Sequence, residues 1–324
     1  MSERKFEFLA DSSNVLEWLA LRKTGIGGSD APGAMLCTQY NTQAKIYIDK
    51  TTEIEDDAAE KENEYMVAGK RLEPFIAEWC IELMNADVQG VNLRGEAYGQ
   101  LIRSLEYPWM IATPDWLIRT KTNKKKKWSD PVPFQIKNTM TFKDWDEGIP
   151  EAVLVQCLHE MIVFGTDHCY VGVLLTGNRP RWARIERKDH EATIDSIIDE
   201  TGDLWEKIQQ RVPIKALKIV GEDRPVLSLL HPKDNGQTIA LPGHLMELAV
   251  DWDDFKTLER ESKKKANGIA AQIQAEMEDN TYGTFPDGSG FSWKHQHKKA
   301  ETKLRGASDS RVLRRQKSAK AANQ

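Results

Sequence analysis

Residues 109–137 read WMIATPDWLIRTKTNKKKKWSDPVPFQIK, and they decide the fold. Two apolar runs, 109–119 and 132–137, flank a lysine-rich stretch, the pattern of two strands joined by a hairpin loop over 120–127. With the run 97–103 before them, they are predicted as successive strands of one sheet. Asp115 stands where one strand ends. Gln135 and Lys137 lie two apart on the next, so both side chains fall on one face of the sheet. Asp followed by QxK across twenty residues suits hard oxygen ligands for a divalent cation, with a lysine beside them. Cations held in this way neutralise phosphoryl charge and activate water. In this arrangement Asp115 and Gln135 offer side-chain oxygens, and the carbonyl of Ile136 adds another.

Working outward, residues 14–24 (NVLEWLALRKT) carry Leu16, Trp18, Leu19 and Leu21 at helical spacing and break into the turn-forming GIGGSD. A helix therefore delivers a glycine loop containing Gly25, Gly27 and Gly28. The stretch 60–85 places Met66, Leu72, Phe75, Ile76, Trp79 and Leu83 on one helical face, with Glu73 on the same helix. Glu151 to Phe164 is helical in pattern and stops at Gly165. HCYVGVLLTG and RWARIER then read as paired strands, and 190–211 returns to helix. The order of helix, sheet, helix, two strands and helix indicates an α/β core with a central mixed sheet flanked by helices.

Residues 213–243 hold Pro213, Pro225, Pro232 and Pro242 and read as a linker. Leu245, Leu248, Trp252, Phe255 and Leu258 then begin a long amphipathic helix, and a hairpin with a PDGSG turn is predicted over 281–294. The division is thus 1–215 core, 216–243 irregular connection, 244–305 mainly helical appendage, and 306–324 a basic, disordered tail.

Composition narrows the class. The chain has 324 residues, 40% hydrophobic and 29% charged, which describes a globular protein. No apolar run approaches the roughly 20 residues that span a bilayer, and the beginning MSERKFEF lacks an apolar leader, so no membrane partner and a cytoplasmic location are expected. Cys37, Cys80, Cys157 and Cys169 lie far apart, which suits buried thiols rather than zinc, disulfides or an iron–sulfur cluster. The seven histidines show no ligand spacing, and His159 is expected to be structural. Net charge is -5, yet ten Lys and Arg against two acidic residues follow from Phe291 onward, and Lys124 to Lys127 are consecutive. Basic charge is local, where it would meet a DNA backbone or simply face solvent.

Four motifs occur in order: WLALRKTGIGGSD, GKRLEPFIAE with Glu73, the Asp115–QIK pair, and VQCLHEMIVFG with Gln156. In this combination the chain resembles the YqaJ family of viral recombinases, relatives of lambda exonuclease within the RecB-type nucleases, over roughly residues 14–205. The resemblance implies a PD-(D/E)XK, restriction-endonuclease-like core. It implies Mg2+, or Mn2+, held by Asp115, Gln135, Glu73 and the Ile136 carbonyl, with Lys137 and Gln156 completing the catalytic set. Arg22 and Ser29 would bind the 5′-phosphate of a DNA end, with Asp30 in the same motif. The implied activity is a 5′-to-3′ exonuclease on double-stranded DNA ends that leaves a 3′ strand for a single-strand annealing protein, and the implied assembly is a trimer.

Gln135 departs from the family's Glu. An amide is neutral, so the site loses one negative charge while keeping a carbonyl oxygen. An inactivating replacement, a tolerated amide and a nuclease fold that binds DNA ends or a protein partner without cutting all stay open. A structure-selective endonuclease on the same fold is a third reading. On the bland side, Glu73 would be a helix salt-bridge residue, Arg22 a surface charge and Ser29 a helix cap.

Overall fold

The α/β pattern is realised around a five-stranded sheet. The computed structural model describes residues 5–53, 64–122 and 127–295. The chain divides into two compact units, Met1–Leu227 and Ser228–Gln324.

In the first unit the main sheet has the order β2 (Val91–Ala97), β5 (Trp116–Thr122), β6 (Val132–Thr139), β7 (His168–Leu175) and β8 (Arg179–Glu186). All neighbours are antiparallel except β6 and β7, which run parallel with Gln135 beside Val171 and Lys137 beside Val173. A parallel pair needs a crossover, and α5 (Glu151–Phe164) supplies it. The alternation of side chains on β6 then sorts the site. Phe134 and Ile136 pack with Ile76, Ala77, Cys80 and Met84 of α4 (Glu64–Asp87). Gln135 and Lys137 fall on the other face, toward α5. Each large apolar side chain buried in this way contributes roughly 1.5–3 kcal/mol. Gly172 is needed in β7 because a Cβ there would lie 2.8 Å from the Phe134 ring.

A second, three-stranded sheet has the order β1 (Phe6–Asp11), β3 (Gln100–Ser104) and β4 (Ile111–Ala112). Two expectations are corrected here. The run 97–103 is not one strand: Ala97 ends β2, Gly99 turns at φ 57, and β3 begins at Gln100 in the other sheet. The run 109–119 likewise divides into β4 and β5, with Asp115 in the break between them. The strands predicted for a single sheet therefore belong to two, and the catalytic candidate lies at the crossing from one to the other.

The helices α1 (Val15–Arg22), α2 (Ala31–Ala34), α3 (Gln43–Thr51) and α6 (Glu191–Gln209) complete the unit. Ile26, Ala34, Ile46, Tyr47, Leu204 and Ile208 form a further core cluster among α2, α3, α6 and the glycine loop. Residues 213–223 carry two short 3-10 turns and lead into α7 (Arg224–Leu230).

The second unit holds α8 (Leu245–Met277) and the hairpin of β9 (Tyr282–Thr284) and β10 (Gly290–Ser292). Gly288 at φ 83 and the Phe285 N–H bonded to the Ser289 carbonyl close the hairpin. Leu248, Trp252, Phe255, Leu258 and Ile269 on α8 are exposed. The three residues Lys124 to Lys126 and the basic tail lie outside the described residues, as does the hairpin loop expected for the lysine run. Among the described residues no helix is long and apolar enough to cross a membrane, and all four cysteines are free thiols.

Candidate active site

Asp115 projects from the break between β4 and β5 and is held from β6. Its Oδ2 accepts a hydrogen bond from the Ile136 N–H (2.9 Å) and another from Gln135 Nε2 (2.6 Å). Lys137, on the same face as Gln135, donates from Nζ to Oε1 of Gln156 on α5 (2.7 Å). Gln156 passes the chain on: its Nε2 donates to Oε1 of Glu160, one turn further along the helix (3.0 Å). Asp115, Gln135, Lys137 and Gln156, read separately along the sequence, are thus one hydrogen-bonded cluster, joined by a residue that the sequence reading passed over.

Glu73 reaches the site electrostatically. Burial, and then the charge of Asp115, push its carboxyl up to about 7. Pro74 follows it within α4 and gives no N–H to the helix ladder at this point. Burial and the same Asp115 charge push Glu160 up to about 8, and burial raises Asp115 itself. Three acids that hold their protons near neutral pH in one place mark a cluster of negative charge drawn out of water.

On the far side of a cavity of about 220 Å³, lined also by Asp115, Gln156 and Glu160, lies the glycine loop. Arg22, on α1, stacks on Trp18 at 4.7 Å and donates from Nη2 to Ser29 Oγ (3.0 Å). The reading of Ser29 as the cap of α2 is corrected: the cap position is Asp30, and the Ser29 hydroxyl is exposed beside Arg22. The loop is fixed on two sides. Ile26 exchanges main-chain hydrogen bonds with Trp109 and Ile111. Asp30 accepts from the Gly27 N–H and is paired at 2.8 Å with Lys50, whose side chain is fully buried. Burial raises the Asp30 carboxyl, but Lys50 and Arg22 outweigh it and hold the group below its usual range. Gly28 has to be glycine, because a Cβ there would lie 2.9 Å from Glu160 Oε1.

His159 stays out of the chemistry. It is buried, its Nε2 lies 3.0 Å from the Ile111 carbonyl oxygen, and burial pushes it down to about 4, so it is neutral at physiological pH.

The donor set suits a hard divalent cation. Gln135 Oε1 and Glu160 Oε2 are buried oxygens without a hydrogen-bond partner, and an orphaned buried oxygen beside excess negative charge is a ligand position. Among the described residues no three His, Cys, Asp or Glu side chains converge as a metal cluster. With an amide at 135, the oxygen set is instead mixed: carboxylate, amide and main-chain carbonyl.

A mixed sheet with one parallel pair, an acid at a strand break and a QxK strand beside it define a domain of the PD-(D/E)XK nuclease type. Residues 17–168 match the family profile described as the YqaJ-like viral recombinase domain, and the chain carries a domain of that family. Every side chain of the site just described falls within that match. The chain is 27% identical over 301 residues to the uncharacterized protein YqaJ of Bacillus subtilis (strain 168), an alignment covering 87% of this chain and 85% of that protein. Among solved structures it is similar to an alkaline exonuclease from Laribacter hongkongensis, at 21% identity and a TM-score of 0.42 over 60% of this chain and 95% of that one. It is also similar to a phage related exonuclease from Haemophilus somnus 129PT, at 12% identity and a TM-score of 0.34 over 60% and 99% of the two chains.

Proposed function

We propose that the protein is a metal-dependent deoxyribonuclease that degrades double-stranded DNA from its ends, 5′ to 3′, leaving 3′ single strands. The observation that carries the reading is one cavity with the Asp115, Gln135, Lys137 and Gln156 cluster on one side and the Arg22–Ser29 pair on the other.

Asp115, Glu73, Gln135 and the Ile136 carbonyl hold Mg2+, or Mn2+ in its place. The cation, when bound, neutralises the scissile phosphate and makes water a better nucleophile. Lys137, steered by Gln156, places its ammonium against the attacking water or the phosphoryl oxygens. Water adds to phosphorus, the P–O3′ bond breaks, and the departing O3′ takes a proton. A 5′-mononucleotide leaves, and the shortened strand carries a new 5′-phosphate. Arg22, fixed by Trp18 and Ser29, offers a guanidinium to that phosphate, so every turnover regenerates the group that anchors the next one. In this reading the protein is a trimer around its DNA and hands the 3′ strand to a single-strand annealing protein.

A second reading, a silent nuclease fold that binds DNA ends, is favoured by the hydrogen bond from Gln135 Nε2 to Asp115, which occupies the acid with an amide nitrogen. Linear duplex with a 5′-phosphate on one strand, offered with Mg2+ beside covalently closed circles, separates the readings. Loss of the phosphorylated strand with intact circles supports the exonuclease. Nicked circles support an endonuclease, and an untouched linear duplex that is nevertheless bound supports the silent fold.

A further inference from the structure

We infer that Glu160, from α5, supplies the carboxylate that position 135 lacks, so that Asp115, Glu160 and Glu73 are the three acids that hold the divalent cation in this chain.

Glu160 is 1% exposed in an otherwise apolar stretch of helix, CLHEMIVF. A carboxylate in such a place is unfavourable unless something compensates it. Among the described residues no Lys or Arg forms an ion pair with it. Its Oε1 is bonded to Gln156, and its Oε2 is buried without a partner. It lines the cavity that Asp115 lines, and it looks across at Gly28, where the loop has given up its side chain to make room. A residue meant merely to steady Gln156 needs one acceptor atom, which a glutamine provides without the charge. The second, orphaned oxygen is what calls for a cation.

The position also has the right chemistry. Gln135 faces α5 from β6, and Gln156 links that strand to Glu160 through Lys137. Replacing Glu by Gln on the strand removes one negative charge, and Glu160 on the helix returns it, keeping three acids in the site. The orphaned Oε1 of Gln135 remains as a neutral ligand.

This inference rests on the metal-dependent reading, and a binding measurement separates the two. Mn2+ is titrated into the full-length protein and free Mn2+ is followed by its electron paramagnetic resonance signal, with no DNA present. Glu160→Gln keeps volume and the acceptor for Gln156, and is expected to weaken Mn2+ binding at least tenfold. The double variant Gln135→Glu/Glu160→Gln, with the charge moved back to the strand, is expected to bind within threefold of the unaltered protein. Unweakened binding by Glu160→Gln, or failure of the double variant to recover, overturns the inference while leaving the metal reading in place. Absence of Mn2+ binding by the unaltered protein and by Gln135→Glu alike overturns the metal reading itself, and this inference with it.

Discussion

Nε2 of Gln135 donates to Oδ2 of Asp115 at 2.6 Å, so a strand amide holds the acid at the strand break through its nitrogen. Changing Gln135 to Glu replaces that donor by a second carboxylate. Without metal the variant is expected to lose about 1–3 kcal/mol, the usual cost of leaving a buried polar group unsatisfied, read as a lower urea midpoint. With Mg2+ the loss is expected to disappear. Cleavage is expected to rise by no more than about tenfold, since Glu160 already contributes a charge; a rise of about a hundredfold or more, near 3 kcal/mol of barrier, would instead mark Gln135 as the block to activity.

The clustered acids set a pH dependence. Glu73 and Glu160 titrate at about 7 and about 8 in the folded protein, above their ordinary value of 4.5. The folded state therefore binds more protons than the unfolded state between those limits, and metal-free stability is greatest below about pH 4.5 as far as these groups decide it and falls as pH rises toward 8. A bound cation competes for the same oxygens, so its affinity is expected to rise about tenfold per pH unit for each proton displaced. The increase in melting temperature on adding Mg2+ should be large at pH 8.5 and small at pH 5.5. Equal increases would contradict the assignment.

Arg22 is placed for a phosphate by its stacking on Trp18 and its bond to Ser29. Arg22→Ala should slow digestion of 5′-phosphorylated ends by about 10–100-fold, the worth of a charge-assisted hydrogen bond of roughly 1.5–3 kcal/mol. Ends bearing a 5′-hydroxyl should be affected little, and paired substrates differing in that one group measure the difference.

Lys50 tests the support beneath the glycine loop. Its buried ammonium pairs with Asp30 and donates to the Arg22 carbonyl (2.9 Å). Lys50→Met strands a buried Asp30 and should cost about 3–5 kcal/mol in chemical denaturation. Adding Asp30→Asn should recover a good part of it, because the stranded charge is removed.

The parts of the site that could be read in the sequence are those with a short-range signature. Asp115 before a new apolar run, and Gln135 and Lys137 two apart in a strand, are local patterns, and the order of the four motifs joined them to Glu73, Gln156, Arg22 and Ser29. Glu160 escaped because it follows His159 in an apolar helix and looks like a stray polar position. Its signal was there: a charged residue four after Gln156, in a stretch with no basic neighbour to pair with it. The division of strands into two sheets escaped for another reason. Apolar runs mark strands but not their partners, and what breaks these runs is the turn at Gly99 and the bend carrying Asp115, both of which are tertiary. β1 was hidden in a beginning read simply for the lack of an apolar leader.

The central claim is that Asp115 serves metal-dependent cleavage of DNA ends. Linear duplex with an internal radiolabel is incubated with Mg2+ and either the unaltered protein or Asp115→Ala, and acid-soluble nucleotide is counted over time. The account predicts steady release of 5′-mononucleotides by the unaltered protein, abolished by chelating the metal and by the substitution. Release that persists undiminished in Asp115→Ala, or no release by the unaltered protein at any divalent-metal concentration, would contradict it.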